Sequence, residues 1–162
     1  MTTFQAVADQ LSQAIASALP ALEQIDERRA AEPRAPGKWS PKQVLGHLID
    51  SAANNHIRFA RGAMQPEVRD PGYAQEDWVR LHGYSGMQWD SIVNFWFEYN
   101  TLLARLVGGI GPDRLTILCF IAGNKPVTLG FVIEDYILHM QHHIDQLLRR
   151  GVITQYPGAA FS

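Results

Sequence analysis

The chain reads as an all-α protein, four long amphipathic helices with one small β-hairpin between the third and the fourth. Three observations predict this. Apolar residues recur every three or four positions in four separate stretches. A serine–proline start signal opens the second stretch. The only clearly β-prone run, 115–121, is short and followed by a turn. At 162 residues the chain can bury one hydrophobic core without staples, so a single domain over residues 1–162 is expected.

In the first helix Phe4, Val7, Leu11, Ile15, Ala18, Leu22 and Ile25 fall along one side. Pro20 lacks a backbone donor and crowds the preceding turn, so a kink or a break into two shorter helices is expected there. Residues 30–38, with Pro33, Pro36 and Gly37, read as a loop. Ser40, Pro41 and Gln43 then supply an N-cap, a first-turn proline and the partner of a capping box. The second helix should run to about Arg61. One face of it carries His47 with Gln43, Asp50, Ser51, Asn54 and Arg58, and the other carries Leu45, Ile49, Ala52, His56 and Phe59. The polar stripe suggests a wet cleft between helices. His56 lies half a turn away from His47, so the two cannot serve one centre.

Residues 62–86 form a long connection with a short helical turn around 76–82; connections of this length commonly cover a site. Tyr73, Asp77, Trp78 and His82 are its substrate-contact candidates, and Asn54 and Arg58 join Tyr73 and Trp78 from the stripe. The third helix, 87–107, carries Trp89, Ile92, Val93, Trp96, Tyr99, Leu103 and Leu106, with Phe95, Phe97 and Leu102 widening the apolar surface. A surface this broad lies deep in the core or meets another subunit, and a homodimer is expected. Glycines 108, 109 and 111 and Pro112 end the helix. The run 115–121, the turn Ala122-Gly123-Asn124-Lys125 and residues 126–128 make the hairpin, which must pack on the helices to be stable. Cys119 within it reads as a buried apolar residue, with no base or cation beside it to activate a thiolate. The fourth helix should end at Gly151, with Arg149 and Arg150 complementing its dipole, and residues 152–162 should be irregular.

Composition excludes several function classes. Fourteen basic and 16 acidic residues, mixed along the chain to a formal charge of −2, leave no electrostatic footprint for nucleic acid. One cysteine permits no internal disulfide, and no apolar run has membrane-spanning length. With no secretory signal pattern, a cytoplasmic setting is expected. The sequence contains no internal repeat, phosphate-cradling glycine loop, nucleophile elbow or Cys-x-x-Cys pair.

The chemistry concentrates in residues 134–150, which hold three of the six histidines. On a helix His139 and His143, four apart, can aim their imidazoles at a common centre and so supply half of a metal site. His142, three residues after His139, competes for that role. At about 100° per residue, the pair His139–His143 straddles Gln146, which could hydrogen-bond the cluster, and Asp135 lies about 40° from His139. An ordinary amphipathic helix with solvated histidines fits the same stretch; a third ligand elsewhere would decide for the metal.

Gly37-Lys38-Trp39-Ser40, Gly46-His47-Leu48-Ile49-Asp50-Ser51 and His139-x-x-His142-His143 together resemble the DinB/YfiT-like superfamily, and within it the YfiT-like metal-dependent hydrolases. Ile57-Arg58-Phe59 and the Tyr136-x-x-His139 frame extend the likeness over residues 37–148, and Asp145-Gln146 after His143 departs from it. The resemblance implies a four-helix bundle, frequent homodimers and one divalent metal held by His47, His139 and His143. Three imidazoles suit zinc or nickel and leave a coordination position open. That implies a hydrolase in which the metal activates a water nucleophile. Alternatives are a metal-dependent S-transferase that uses a low-molecular-weight thiol, and a non-enzymatic dimeric metal-binding module. In each enzymatic reading the substrate is a small molecule. Asp50, one turn from His47, is the weak catalytic candidate, as an exposed acid that could orient an imidazole or take a proton.

Overall fold

Four apolar helical stripes can be buried together only if each faces two neighbours, and this sets the arrangement of the long helices. In the computed structural model, which describes residues 4–158, these are α1 (Phe4–Glu23), α3 (Pro41–Met64), α5 (Trp89–Gly108) and α6 (Leu129–Leu147). α1 packs against α5 and α6, and α3 packs against the same two helices. α1 and α3 therefore sit on one diagonal of a four-helix bundle and α5 and α6 on the other, whereas α3 and α5, which also follow one another among the long helices, are neighbours. Leu11, Leu22, Leu45, Trp89, Trp96 and Ile133 are among the fully buried side chains of its core. Among the described residues, no helix is long and apolar enough to cross a membrane.

α1 runs through Pro20 without breaking. Only three residues follow the proline, so the lost donor falls in a terminal turn, and buried Ala18 and Leu22 hold that turn against the core on either side of it. Ile25 lies beyond the helix end, and Asp26 caps a five-residue helix, α2 (Glu27–Ala31), by accepting a hydrogen bond from Arg29 N at 2.8 Å. The expected loop thus starts one residue after Ala31. At α3 the capping box is formed: Ser40 Oγ accepts from Gln43 N, and Gln43 Oε1 accepts from Ser40 N at 3.0 Å. Lys42, buried in the first turn, pairs with Glu27 and so ties α2 to α3.

The hairpin expectation gains a strand. β2 (Leu118–Ile121) and β3 (Val127–Thr128) are antiparallel, with Leu118 opposite Thr128, but β1 (Glu67–Asp70) lies parallel to β2 on its other side, with Val68 opposite Cys119. Glu-Val-Arg-Asp is a poor strand signal because three of its four residues are charged and Val68 alone is buried. The sheet joins the end of α3 to the start of α6, whose N-cap, Thr128, is the last residue of β3. Arg114 adds to this tie by donating to the carbonyls of Gly62 (3.0 Å) and Gln65 at the end of α3. The expected helical turn of the connection is α4 (Gln75–His82), closed by Gly83 in the left-handed region. Trp89, Ile92, Val93 and Trp96 turn inward, whereas Phe95 and Leu102 remain exposed on α5.

α6 ends at Leu147, four residues before the expected stop at Gly151. Arg149 adopts the left-handed conformation, φ 54°, and the bonds Arg150 N to Asp145 O (3.0 Å) and Arg149 N to Gln146 O (3.2 Å) complete a Schellman ending around it. A residue with a Cβ in that conformation costs about 1–2 kcal/mol. The tail through residue 158 is irregular, and 159–162 lie outside the described residues.

Among the described glycines, Gly46 makes the closest approach to a neighbour. A Cβ there would lie 2.2 Å from Tyr84 Cδ2, and that ring is held by its hydroxyl, which donates to Asp50 at 2.6 Å. Gly46→Ala should therefore destabilise the protein by about 1–3 kcal/mol in urea denaturation, outweighing a helix-propensity gain of about 1 kcal/mol. An unchanged midpoint would mean that the Tyr84 ring is free to move aside.

Candidate metal centre

The packing of α3 on α6 turns the polar stripe inward. His47, Asp50, Ser51, Asn54 and Arg58 are all buried, so the expected wet cleft is an interior seam instead. The reason is that α6 presents His139, His143 and Asp135 where an apolar helix would otherwise meet Leu or Ile. His47 Nε2 lies 3.1 Å from His139 Nε2, and one ring nitrogen from each of His47, His139 and His143 lies within 4.8 Å of the others.

Burial sets the protonation of this cluster. Loss of solvent lowers the pKa of His47 to about 3, helped by the nearby His143. The same loss lowers His139 to about 2, helped by His143, His47 and His142, and lowers His143 to about 4, helped by His142. At neutral pH all three imidazoles are uncharged. Of the three, only the Nε2 pair of His47 and His139 lies within hydrogen-bond distance, and the buried Nδ1 of His47 has no partner. Burying polar nitrogens without full hydrogen bonding costs about 1–3 kcal/mol per group. Neutral, convergent donors of this kind fit a divalent cation, which would use the lone pairs that the protein leaves unmatched.

His142 and His143 are adjacent but point about 100° apart around the helix. His143 turns to the cluster, and His142 Nδ1 lies 2.8 Å from the carbonyl of Thr154. Asp145 fastens the same tail: its carboxylate accepts from Thr154 N (2.8 Å), Thr154 Oγ1 (2.6 Å) and Arg150 (2.8 Å). Tyr156 is thereby laid against His139, ring centres 5.2 Å apart, with its hydroxyl donating to Asp135 at 3.2 Å. On the other side Trp39 covers His47, ring centres 5.2 Å apart.

The remaining candidates separate. Asp50 is buried and not exposed as expected, because α4 and the following turn cover it. It accepts from Tyr84 (2.6 Å) and pairs with His82 Nδ1 (2.8 Å), so the imidazole it orients is that of His82. Asn54 donates to the backbone carbonyl of Asp50 at 2.9 Å. Arg58 pairs with Asp70 at 3.0 Å and so holds β1 to α3, yet it also borders, with Tyr73, Asp135, His139 and Tyr156, a void of about 20 Å³, enough for one water-sized group. Tyr73 has its hydroxyl pushed up to about 12, chiefly by burial. Trp78 lines a separate apolar groove with His82, Phe95 and Leu102. Gln146 borders a cavity beside His143, and among the described residues no hydrogen bond joins it to the cluster. His56 pairs with Tyr99 at 3.1 Å, away from the centre. Cys119 is buried, its thiol pushed up to about 11 by desolvation. Trp39, Tyr156 and Asp135 were missed as site residues, although helical counting placed Asp135 beside His139 and Trp39 lies in the Gly37–Ser40 stretch.

A bundle with a largely buried three-histidine cluster between α3 and α6 defines a class of metal-binding helical proteins. The sequence pattern of the DinB superfamily matches residues 10–147, and the chain belongs to that superfamily. Proteins of Bacillus mycoides (strain KBAB4) and Bacillus cereus (strain B4264), each named "Putative metal-dependent hydrolase", are 30% identical to it over 61 residues, a segment spanning 38% of this chain and 35% of each relative. YfiT from Bacillus subtilis, described as a probable metal-dependent hydrolase with an unusual four-helix bundle topology, has the same fold: TM-score 0.77 over 89% of this chain and 85% of that one, at 22% identity.

Two outcomes test the centre. His47→Ala, His139→Ala and His143→Ala should each lose most bound zinc by metal analysis after dialysis, and His142→Ala should keep it; retention in His143→Ala with loss in His142→Ala would show that the wrong neighbour was chosen. The second outcome concerns pH in the metal-free protein. The three folded-state pKa values lie below the ordinary 6.5, so below that pH the unfolded chain binds more protons. Stability should be complete above about pH 6.5 and fall as pH drops below it, with each histidine adding up to about 1.4 kcal/mol per pH unit. Urea midpoints of chelator-treated protein at pH 7 and pH 5 should therefore differ more for wild type than for His47→Gln, and equal losses would remove the histidines as the cause.

Proposed function

We propose that this protein is a metal-dependent hydrolase of small molecules, with His47, His139 and His143 holding one divalent ion, zinc or nickel. The observation that carries the reading is the convergence of three uncharged ring nitrogens within 4.8 Å, one of their residues bordering an open cavity. A closed structural site would supply a fourth protein ligand; three leave a position for substrate or water. Bound there, such an ion would act as a Lewis acid toward the group occupying that position. The names of the relatives point the same way.

The chain's own residues supply the setting. α3 and α6 hold the imidazoles on opposite walls of one seam, and burial keeps their lone pairs free of protons. Trp39 shields His47 from solvent, and Tyr156 covers His139. The Tyr156 hydroxyl, which donates to the Asp135 carboxylate, fastens the cover on the His139 side, where the remaining void admits only a water-sized group. Asp50 receives no role in proton transfer, because His82 and Tyr84 occupy it.

Zinc-loaded protein should hydrolyse an activated ester such as 4-nitrophenyl acetate at a rate that is lost with chelator and in His143→Ala, and is indifferent to added thiol. Turnover of a halo-aromatic electrophile that requires a low-molecular-weight thiol, without ester hydrolysis, would replace this reading with S-transfer. No metal-dependent turnover of either kind would favour a binding module.

A further inference from the structure

One wall of the histidine centre opens into a cavity of about 120 Å³, near the size that holds a single aromatic ring. His143 and Trp39 border it, and Ile25, Val44 and Leu147 give it apolar walls. Its charged residues are mostly of one sign. Arg29, from α2, Arg34, from the loop after it, and Arg149, from the end of α6, reach the cavity from three separate elements. Among the described residues none of the three forms an ion pair. The single acid on the cavity, Glu32, faces Arg28 at 3.9 Å. This concentration of positive charge occurs in a chain whose formal charge is −2.

Arg149 adds an independent sign. It occupies a left-handed position, φ 54°, where glycine is the unstrained choice, and Gly151 stands only two residues further on. Backbone strain kept beside a site is a mark of functional placement. A lysine-like point charge elsewhere on the last turn would serve the helix dipole equally well.

We infer that the cavity selects an anionic substrate, a small molecule with an apolar body of about one ring and a carboxylate or phosphate group. The apolar part lies against Trp39 and the aliphatic wall, with the anion toward the arginine rim, whose planar forks match both oxyanions. The inference rests on the reading that the histidine cluster is the reactive centre of this cavity, but the recognition itself is a property of the arginines and is measurable without turnover.

Isothermal titration with 4-phenylbutyrate, its neutral counterpart 4-phenylbutanol, and phenyl phosphate tests it on zinc-free and zinc-loaded protein. In low salt the acid should bind about tenfold or more tightly than the alcohol, since hydrogen bonds to a charged group are the strong ones. The preference should shrink as salt rises. Arg34→Gln and Arg149→Gly should each reduce it about threefold or more, whereas Arg80→Gln, remote on α4, should not. Arg149→Gly should keep or raise the melting temperature, which separates lost recognition from lost folding. Tighter binding of phenyl phosphate or of phenylbutyrate assigns the anion to the phosphate or the carboxylate class. Equal binding of acid and alcohol, or a preference that survives the triple Arg29→Gln, Arg34→Gln, Arg149→Gly variant, overturns the inference. Intact anion preference without metal-dependent turnover would sink the hydrolase reading alone, and turnover without anion preference would sink this one alone.

Discussion

The contact between α3 and α6 is the constraint on which the rest of the molecule depends, because it buries the imidazoles of His47 and His139 and half-buries that of His143 without fully hydrogen-bonding them. Apolar side chains of similar size would pack there at no such cost, so the seam is stabilised from outside itself. The capping box at Ser40 sets the start of α3. At the far end, β1 follows α3 and β3 feeds α6, and the sheet between them holds the two helices at one spacing and register. The Arg58–Asp70 pair and the Arg114 contacts strengthen that end of the clamp. The small sheet is therefore part of the centre's support.

The centre is closed unequally. On the His139 side the C-terminal tail is drawn across α6 by Asp145 and His142, which places Tyr156 over the ring and leaves only a water-sized void. On the His143 side the wall is Trp39 and the loop after α2, and there the cavity reaches solvent. Access thus comes from the arginine-rimmed side, and the tail acts as a fixed cover on the other. The early end of α6 makes both possible: the Schellman ending reverses the chain at Arg149, sends the tail back along the helix, and leaves the arginine at the cavity rim.

Asp50 shows how one helix serves two tasks. It lies one turn from His47, but it receives hydrogen bonds from His82 and Tyr84 and so anchors α4 and the turn after it. Gly46 allows the Tyr84 ring to approach the helix backbone closely enough for that bond. The residues between 46 and 50 therefore join the connecting segment to α3 with one set of side chains and offer a ring nitrogen to the seam with another.

The periodicity of apolar residues determined the four long helices and the inward faces of Leu11, Trp89 and Trp96, and the capping pattern of Ser40, Pro41 and Gln43 determined the start of α3, because these depend on spacing along one element. The histidine pair four residues apart on α6 was legible for the same reason. Tertiary structure alone decided what depends on two distant segments meeting. Glu67–Asp70 becomes a strand only because β2 supplies a partner about fifty residues away. In sequence His47 reads as lining a wet cleft and Asp50 as an exposed acid, and both are buried because α6 and α4 cover them. Tyr156, in a tail without periodicity, reaches His139 through the three bonds that Asp145 accepts. The end of α6 escaped local reading too, since the sequence signal favoured Gly151 while the fold placed the left-handed turn at Arg149. Local spacing specifies which face of a helix a side chain occupies, but only packing determines what that face meets.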